Sequence, residues 1–128
     1  MPRRESEADF QLAVVQIATY NGWRHYHTHD SRHSVAGFPD EIFVRPPRLL
    51  VVELKAEDGR VSVEQAAWLG AFTAIGASVR YVVDLVREHR LAEDLQEPTV
   101  ETYVWRPSDW PEIERILART PTPVPARV

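Results

Sequence analysis

The sequence predicts an α/β domain: a mixed central sheet with helices on its faces. Three observations carry this. Two apolar runs, within residues 37–44 and 49–55, flank Arg45-Pro46-Pro47-Arg48, a turn signal that makes them a β-hairpin. Stretches with helical apolar spacing lie on either side of the hairpin, over 6–21 and 62–75. Further strand candidates at 79–83 and 100–105 are separated by a charged helical stretch near 85–95. The expected order is helix, short strand, hairpin, helix, strand, inserted helix, strand, helix.

In the first helix, Ser6 with Asp9 three residues on is a start signal. Phe10, Val14 and Ile17, with Ala13 and Ala18, line one face, and Gly22 is the stop. Glu7 falls in the first turn, where the helix dipole favours a carboxylate. Trp23 to Asp30 reads as a short extended segment. His25, His27 and His29 alternate there, so a strand sets the three imidazoles on one face. Such a group invites zinc, but this spacing runs in a line and does not converge on one ion. A substrate-facing edge is expected for His27 instead. The loop over 31–36, with Arg32 and His33, reads either as phosphate-contacting or as merely solvated.

The hairpin carries the chemistry. With the four-residue turn, antiparallel partners have numbers summing to 93: Val44 faces Leu49, Ile42 faces Val51, and Asp40 faces Glu53. Directly opposed side chains lie about 4.5–5.5 Å apart at Cβ, and like charges so placed destabilise a sheet. Here the two acids also end a strand that is apolar on both faces. Such a pair calls for a cation, and oxygen-only ligands suit a hard divalent ion, Mg²⁺ or Mn²⁺. Lys55 shares the face of Glu53 by strand parity. It puts a positive charge where a phosphate oxygen or a nucleophilic water would need one. The plain alternative is a surface Asp beside an ordinary Glu–Lys pair.

Beyond the hairpin, Glu57-Asp58-Gly59-Arg60 is a turn. Ser62 opens a helix to about Ile75 that Gly76 ends, and Ser62 with Gln65 matches a capping box. Val79–Val83 is expected as a mostly buried strand. The helix near 85–95 is expected as a surface excursion between Asp84 and Thr99, a decoration or an oligomer contact. The last strand runs from Val100 to Trp105. Asp109 and Glu112 are a cap pair for a short final helix packed through Ile113, Ile116 and Leu117. One domain over 1–119 is expected, followed by a Pro-rich, mobile tail over 120–128.

The chain has 128 residues, 44% of them hydrophobic, which suits a single globular domain with a sizeable core. There is no cysteine, which excludes a disulfide framework and a cysteine zinc site. No apolar run reads as long enough to span a membrane, and the polar start is unlike a signal peptide, so a cytoplasmic protein is the default expectation. The net charge of −4 argues against a broad basic surface that coats nucleic acid. The acids cluster between Asp84 and Glu101, whereas 22–48 holds most of the histidines, with arginines among them. The sequence thus allows a small positive face and an acidic back.

Pro39-Asp40, twelve residues, then Glu53-Leu54-Lys55 resembles the PD-(D/E)XK nuclease signature. The wider context resembles its VRR-NUC branch, in the stand-alone type of phages and bacteria. That context is Gly37-Phe38-Pro39-Asp40, Glu53-Leu54-Lys55-Ala56, Ser62-Val63-Glu64-Gln65-Ala66-Ala67-Trp68-Leu69 and a late Val104-Trp105-Arg106-Pro107. The four blocks stand in the right order across most of residues 5–117. The resemblance implies a restriction-endonuclease-like core and a metal-dependent phosphodiesterase acting on DNA. By the same resemblance, Asp40 and Glu53 bind Mg²⁺ or Mn²⁺ with the backbone carbonyl of Leu54, and Glu7 completes the metal site. Lys55 assists the attacking water, and Gln65 is an active-site residue as well as a cap. Arg24, His27, Arg32 and His33 are the expected DNA-facing residues. A homodimer acting on branched DNA, like a Holliday-junction resolvase, is also implied, without membrane involvement. A non-catalytic nucleic-acid-binding or assembly module that keeps the fold is the alternative.

Overall fold

A computed structural model describes residues 6–28 and 35–119. Helix α1 (Glu7–Tyr20) starts where expected, with the Asp9 amide donating to the Ser6 hydroxyl at 3.1 Å. It ends at Asn21, and Gly22 follows with φ of 85°, a conformation that favours glycine. Strand β1 (Arg24–His27) returns antiparallel to β2 (Glu41–Arg45), which pairs antiparallel with β3 (Arg48–Leu54). Helix α2 (Val63–Glu88) then crosses over to β4 (Thr99–Trp105), which lies parallel to β3. A short 3-10 turn (Pro107–Asp109) leads into α3 (Trp110–Leu117). The sheet order is β1-β2-β3-β4. This is a four-stranded mixed sheet flanked by helices, consistent with a restriction-endonuclease-like core.

The hairpin register matches the one read from the sequence: Val44 pairs with Leu49, and Ile42 with Val51. The turn is tighter than the expected quartet, because Arg45 and Arg48 pair and leave only Pro46-Pro47 at the tip. Strand parity sorts the sheet into two faces. Phe43, Leu50, Val52 and Leu54 pack with Phe10, Val14 and Ala18 of α1 and Ile113, Ile116 and Leu117 of α3. Trp23 seals this layer, its indole N–H donating to the Leu117 carbonyl at 2.9 Å. Ile42, Val51 and Glu53 face α2 by the same parity.

The region after Gly76 departs from expectation. Gly76 does not end the helix, and Val79–Val83 is not a strand. The separate helix near 85–95 does not form either: α2 runs on to Glu88 and an irregular return follows. The physical reason is a stripe of half- to fully buried residues at Leu69, Phe72, Gly76, Val79 and Val83, which has helical spacing and overrides the β propensity of the valines. Gly76 serves close approach: a Cβ there would lie 2.3 Å from the Val100 carbonyl oxygen. The return begins at Arg90, whose φ is 52°, and ion pairs from Arg80 and Arg87 to Glu97 hold its far end against α2. By length and composition α2 is long and apolar enough to cross a membrane, which the sequence reading missed by stopping at Gly76. In the fold, that helix packs along β4 and β3.

Asp109 also differs from expectation. Its carboxylate accepts from the Arg106 amide at 2.9 Å and does not cap α3, while Glu112 pairs with Arg115. The proposed tail, 120–128, lies outside the described residues.

Candidate active site

Asp40 stands just before β2, past the last ladder pair, Glu41 with Val52. Its side chain completes the register instead: Oδ2 accepts from the Leu54 amide at 2.8 Å. That bond holds the carboxylate against β3 between Glu53 and Lys55. Gly37 aims the segment that carries it. Its φ is 80°, and a Cβ there would lie 2.5 Å from the Glu64 carbonyl carbon and 2.7 Å from the Gln65 amide nitrogen. The loop before Asp40 therefore lies directly on the first turn of α2. Phe38 extends the contact, edge-on to Trp68 with ring centroids 5.1 Å apart.

Glu53 is 1% exposed. Its Oε1 accepts from the Gln65 side-chain amide at 2.9 Å and lies 3.7 Å from the Lys55 Nζ. Its Oε2 is buried with no hydrogen-bond partner. Burial above all, then the hydrogen bond and charge of Asp40, pushes the Glu53 carboxyl up to about 8, against the pull of Lys55. Two carboxyl groups with too little positive charge and an orphaned oxygen form a donor set that fits a hard cation. Among the described residues no three His, Asp or Glu side chains are gathered to hold a metal. A cation here would draw on Asp40, Glu53 and backbone oxygen.

Gln65 caps its own helix and also reaches Glu53. Its Oε1 accepts from the Ser62 amide at 2.8 Å and its own amide donates to the Ser62 hydroxyl at 3.1 Å, closing the capping box. The other end of the same side chain reaches Glu53. The Val-Trp-Arg-Pro block braces the strand end from the opposite edge. The Lys55 amide donates to the Trp105 carbonyl at 3.0 Å, and the Arg106 guanidinium to the Gly59 carbonyl at 2.8 Å.

The structure thus brings together Asp40, Glu53, Leu54, Lys55 and Gln65. Glu7 is exposed in the first turn of α1, and among the described residues no hydrogen bond or ion pair joins it to them. Arg24 is exposed at the start of β1, three residues along the strand from the His27–Glu41 pair. Arg32 and His33 lie outside the described residues, as does His29. His27 is turned to the other face of the sheet, where its Nδ1 lies 2.5 Å from Glu41 Oε1.

Glu41 is the residue that the sequence reading missed. It is 1% exposed, its Oε2 has no hydrogen-bond partner, and His25 Nδ1 lies 3.7 Å from that atom. Burial raises its carboxyl, while the hydrogen bond and charge of His27 pull the other way. The pairing of β1 with β2 sets His27 opposite Glu41, a register that no turn in the sequence fixes.

Residues 3–84, more than half of the chain, match the family described as the VRR-NUC domain. No curated protein and no solved structure matches.

Proposed function

Since the chain belongs to the VRR-NUC domain family and is a nuclease-type domain, we propose that it is a divalent-metal-dependent DNA endonuclease hydrolysing phosphodiester bonds. The observation that carries the reading is the buried Glu53 with its unpartnered Oε2, set beside Asp40 and within 3.7 Å of the Lys55 ammonium. Asp40, Glu53 and the Leu54 carbonyl would hold Mg²⁺ or Mn²⁺, with Glu7 reaching in from α1. Such an ion would supply a bound water of lowered pKa and a Lewis acid for the scissile phosphate. Lys55 stabilises negative charge developing on the phosphate oxygens. Gln65, which donates to Glu53 Oε1, would hold that carboxylate in orientation. Arg24, Arg32, His33 and the His27 edge are the proposed DNA contacts.

The proposed substrate is branched DNA and the proposed assembly a homodimer, a resolvase-like arrangement in which two sites across a two-fold axis make paired nicks. The proposed setting is the cytoplasm of a bacterial or phage-infected cell. The deciding experiment is cleavage of end-labelled four-way junctions, with linear duplex and single strand of the same sequences, in Mg²⁺, Mn²⁺ and EDTA. Metal-dependent paired nicks on the junction alone are the expected result. Cutting of every substrate keeps the nuclease and removes the junction preference.

The net charge of −4 favours a second reading, a non-catalytic binding or assembly module with this fold. Lys55→Ala separates the two. It is expected to lose cleavage while keeping fold and DNA binding. Normal cleavage by this variant removes Lys55 from the chemistry, and a folded wild type that binds DNA but cuts in no metal leaves the module.

A further inference from the structure

Helix α2 covers only part of the sheet face that bears the candidate site. It packs along β4 and reaches β3. The ladder shows where the cover stops. Tyr26 pairs with Ile42, Ile42 with Val51, and Val51 with Thr102, so the four share that face. Val51 is fully buried, Ile42 is half-buried, and Tyr26 is 62% exposed. The next row repeats the gradient, with Leu49 and Val44 half-buried and Arg24 exposed. Among the described residues no helix packs over β1 and β2 on this side, whereas α1 and α3 fill the other. The bare area adjoins the carboxylates. The Thr28 amide donates to the Asp40 carbonyl at 2.9 Å, which carries the β1–β2 ladder one rung past its last strand pair. Asp40 and Glu53 therefore stand two residues along from the row of Tyr26, about 7 Å at the rise of a strand. A recess of about 370 Å³ opens beside that row, lined by Arg24, His25, Tyr26, Ile42 and Val44.

We propose that this bare half of the sheet holds an unpaired nucleobase of the strand that lies in the candidate site, stacked on the Tyr26 ring, with Arg24 on a neighbouring phosphate. The chemistry of the surface selects this occupant. An exposed aromatic ring on a sheet, above aliphatic side chains, is a stacking platform for a base. Every base has such a face, so the contact reads the absence of pairing and not the sequence. In continuous duplex the base faces are stacked on their neighbours, and freeing one costs energy. Arg24 is the one charged side chain on the bare area, and the only carboxylates that border it on this face are those of the candidate site. In a chain of net charge −4, that leaves a local cation where a nucleic-acid backbone would pass. The substrate class that follows is DNA with unpaired nucleotides next to the cut, as at a fork, a flap or an open branch point. Tyr26 takes no part in the bond cleavage; it positions the strand that is cut.

The inference rests on the DNA part of the proposal above, and its test reads binding, separately from cleavage. The probe is a single strand carrying one 2-aminopurine, whose fluorescence falls on stacking, and the same strand in full duplex. Both are titrated with the full chain in Ca²⁺. The single strand is expected to bind more tightly, with quenching. Tyr26→Thr keeps a β-branched residue on the strand and is expected to leave circular dichroism unchanged. It is expected to bind the single strand about tenfold more weakly, to lose less on duplex, and to abolish the quenching. Tyr26→Phe is expected to restore all three. A wild type that binds neither probe, or binds both equally without quenching, overturns the proposal. Equal single-strand affinity of wild type and Tyr26→Thr overturns it too, and cleavage by the wild type in Mg²⁺ then leaves the nuclease reading intact. A dimer in sedimentation that Tyr26→Thr turns into a monomer, with DNA affinity unchanged, gives the face to a second copy and also overturns it. A wild type that stacks the probe but cuts no DNA in any metal leaves the inference standing and removes the nuclease reading.

Discussion

Glu53 is held at odds with its surroundings: burial and Asp40 raise its carboxyl, and one oxygen has no partner. Its proton preference is a stability statement. With the folded value near 8 and the ordinary one at 4.5, the contribution is full below the ordinary value and is lost as pH rises through the folded one. At pH 8, Glu53→Gln is therefore expected to raise Tm in EDTA. Mg²⁺ is expected to raise the Tm of the wild type and not of this variant, as read by differential scanning fluorimetry. Gln65 permits a finer dissection. Gln65→Ala removes the cap acceptor and the Glu53 donor together, at about 1 kcal/mol for the cap. Gln65→Glu keeps the cap acceptor but faces Glu53 with an oxygen. It is expected to hold most of the thermal stability while cleavage falls at least tenfold; equal cleavage would leave Gln65 a cap alone.

At the scale of elements, Gly76 is the informative glycine. Its missing Cβ lets α2 lie on β4, 2.3 Å being far inside contact distance of the Val100 carbonyl oxygen. Gly76→Ala is expected to cost about 1–3 kcal/mol in urea unfolding, the overpacking outweighing the gain in helix propensity. The same residue shows why the sequence was read unevenly. The hairpin was legible because two apolar runs and a Pro-Pro turn fix one register, and that register sets Asp40 beside Glu53. A glycine after thirteen helical residues has two meanings, a stop or a close approach, and only the neighbouring strand decides between them. Gly76 as a stop makes Val79–Val83 a strand and the rest an insertion. Glu41 escaped for a related reason: its partners, His25 and His27, come from a strand whose pairing no turn announces.

Across the whole molecule, the two ends of the sheet do different work. The end bearing Asp40, Glu53 and Lys55 concentrates unmet charge. The hairpin-tip end satisfies it. There the Arg48 guanidinium forks onto Glu101 at 2.8 and 2.7 Å and donates to the Ile116 carbonyl, and Arg45 donates to the Asn21 and Ala118 carbonyls. Burial pushes Glu101 up, but hydrogen bonds from Arg48, Thr99 and Tyr103 together outweigh it and hold the carboxyl at about 2. A lowered carboxyl contributes stability above its ordinary 4.5 and loses it as pH falls toward the folded value. Glu101→Gln is thus expected to lower Tm at pH 7 and to make little difference near pH 2, which a pH series of melting curves reads directly.

The bracing of Lys55 by Trp105 has a consequence for the order in which the protein is made. Asp40, Glu53 and Lys55 leave the ribosome early, yet β3 acquires its second neighbour only when residues 99–105 arrive, after the whole of α2. Until then β3 is an open edge that bears two acids and offers its backbone to any passing strand. A nascent chain therefore holds every residue of the candidate site long before it holds the site. The boundary of the family match at residue 84 falls inside that interval.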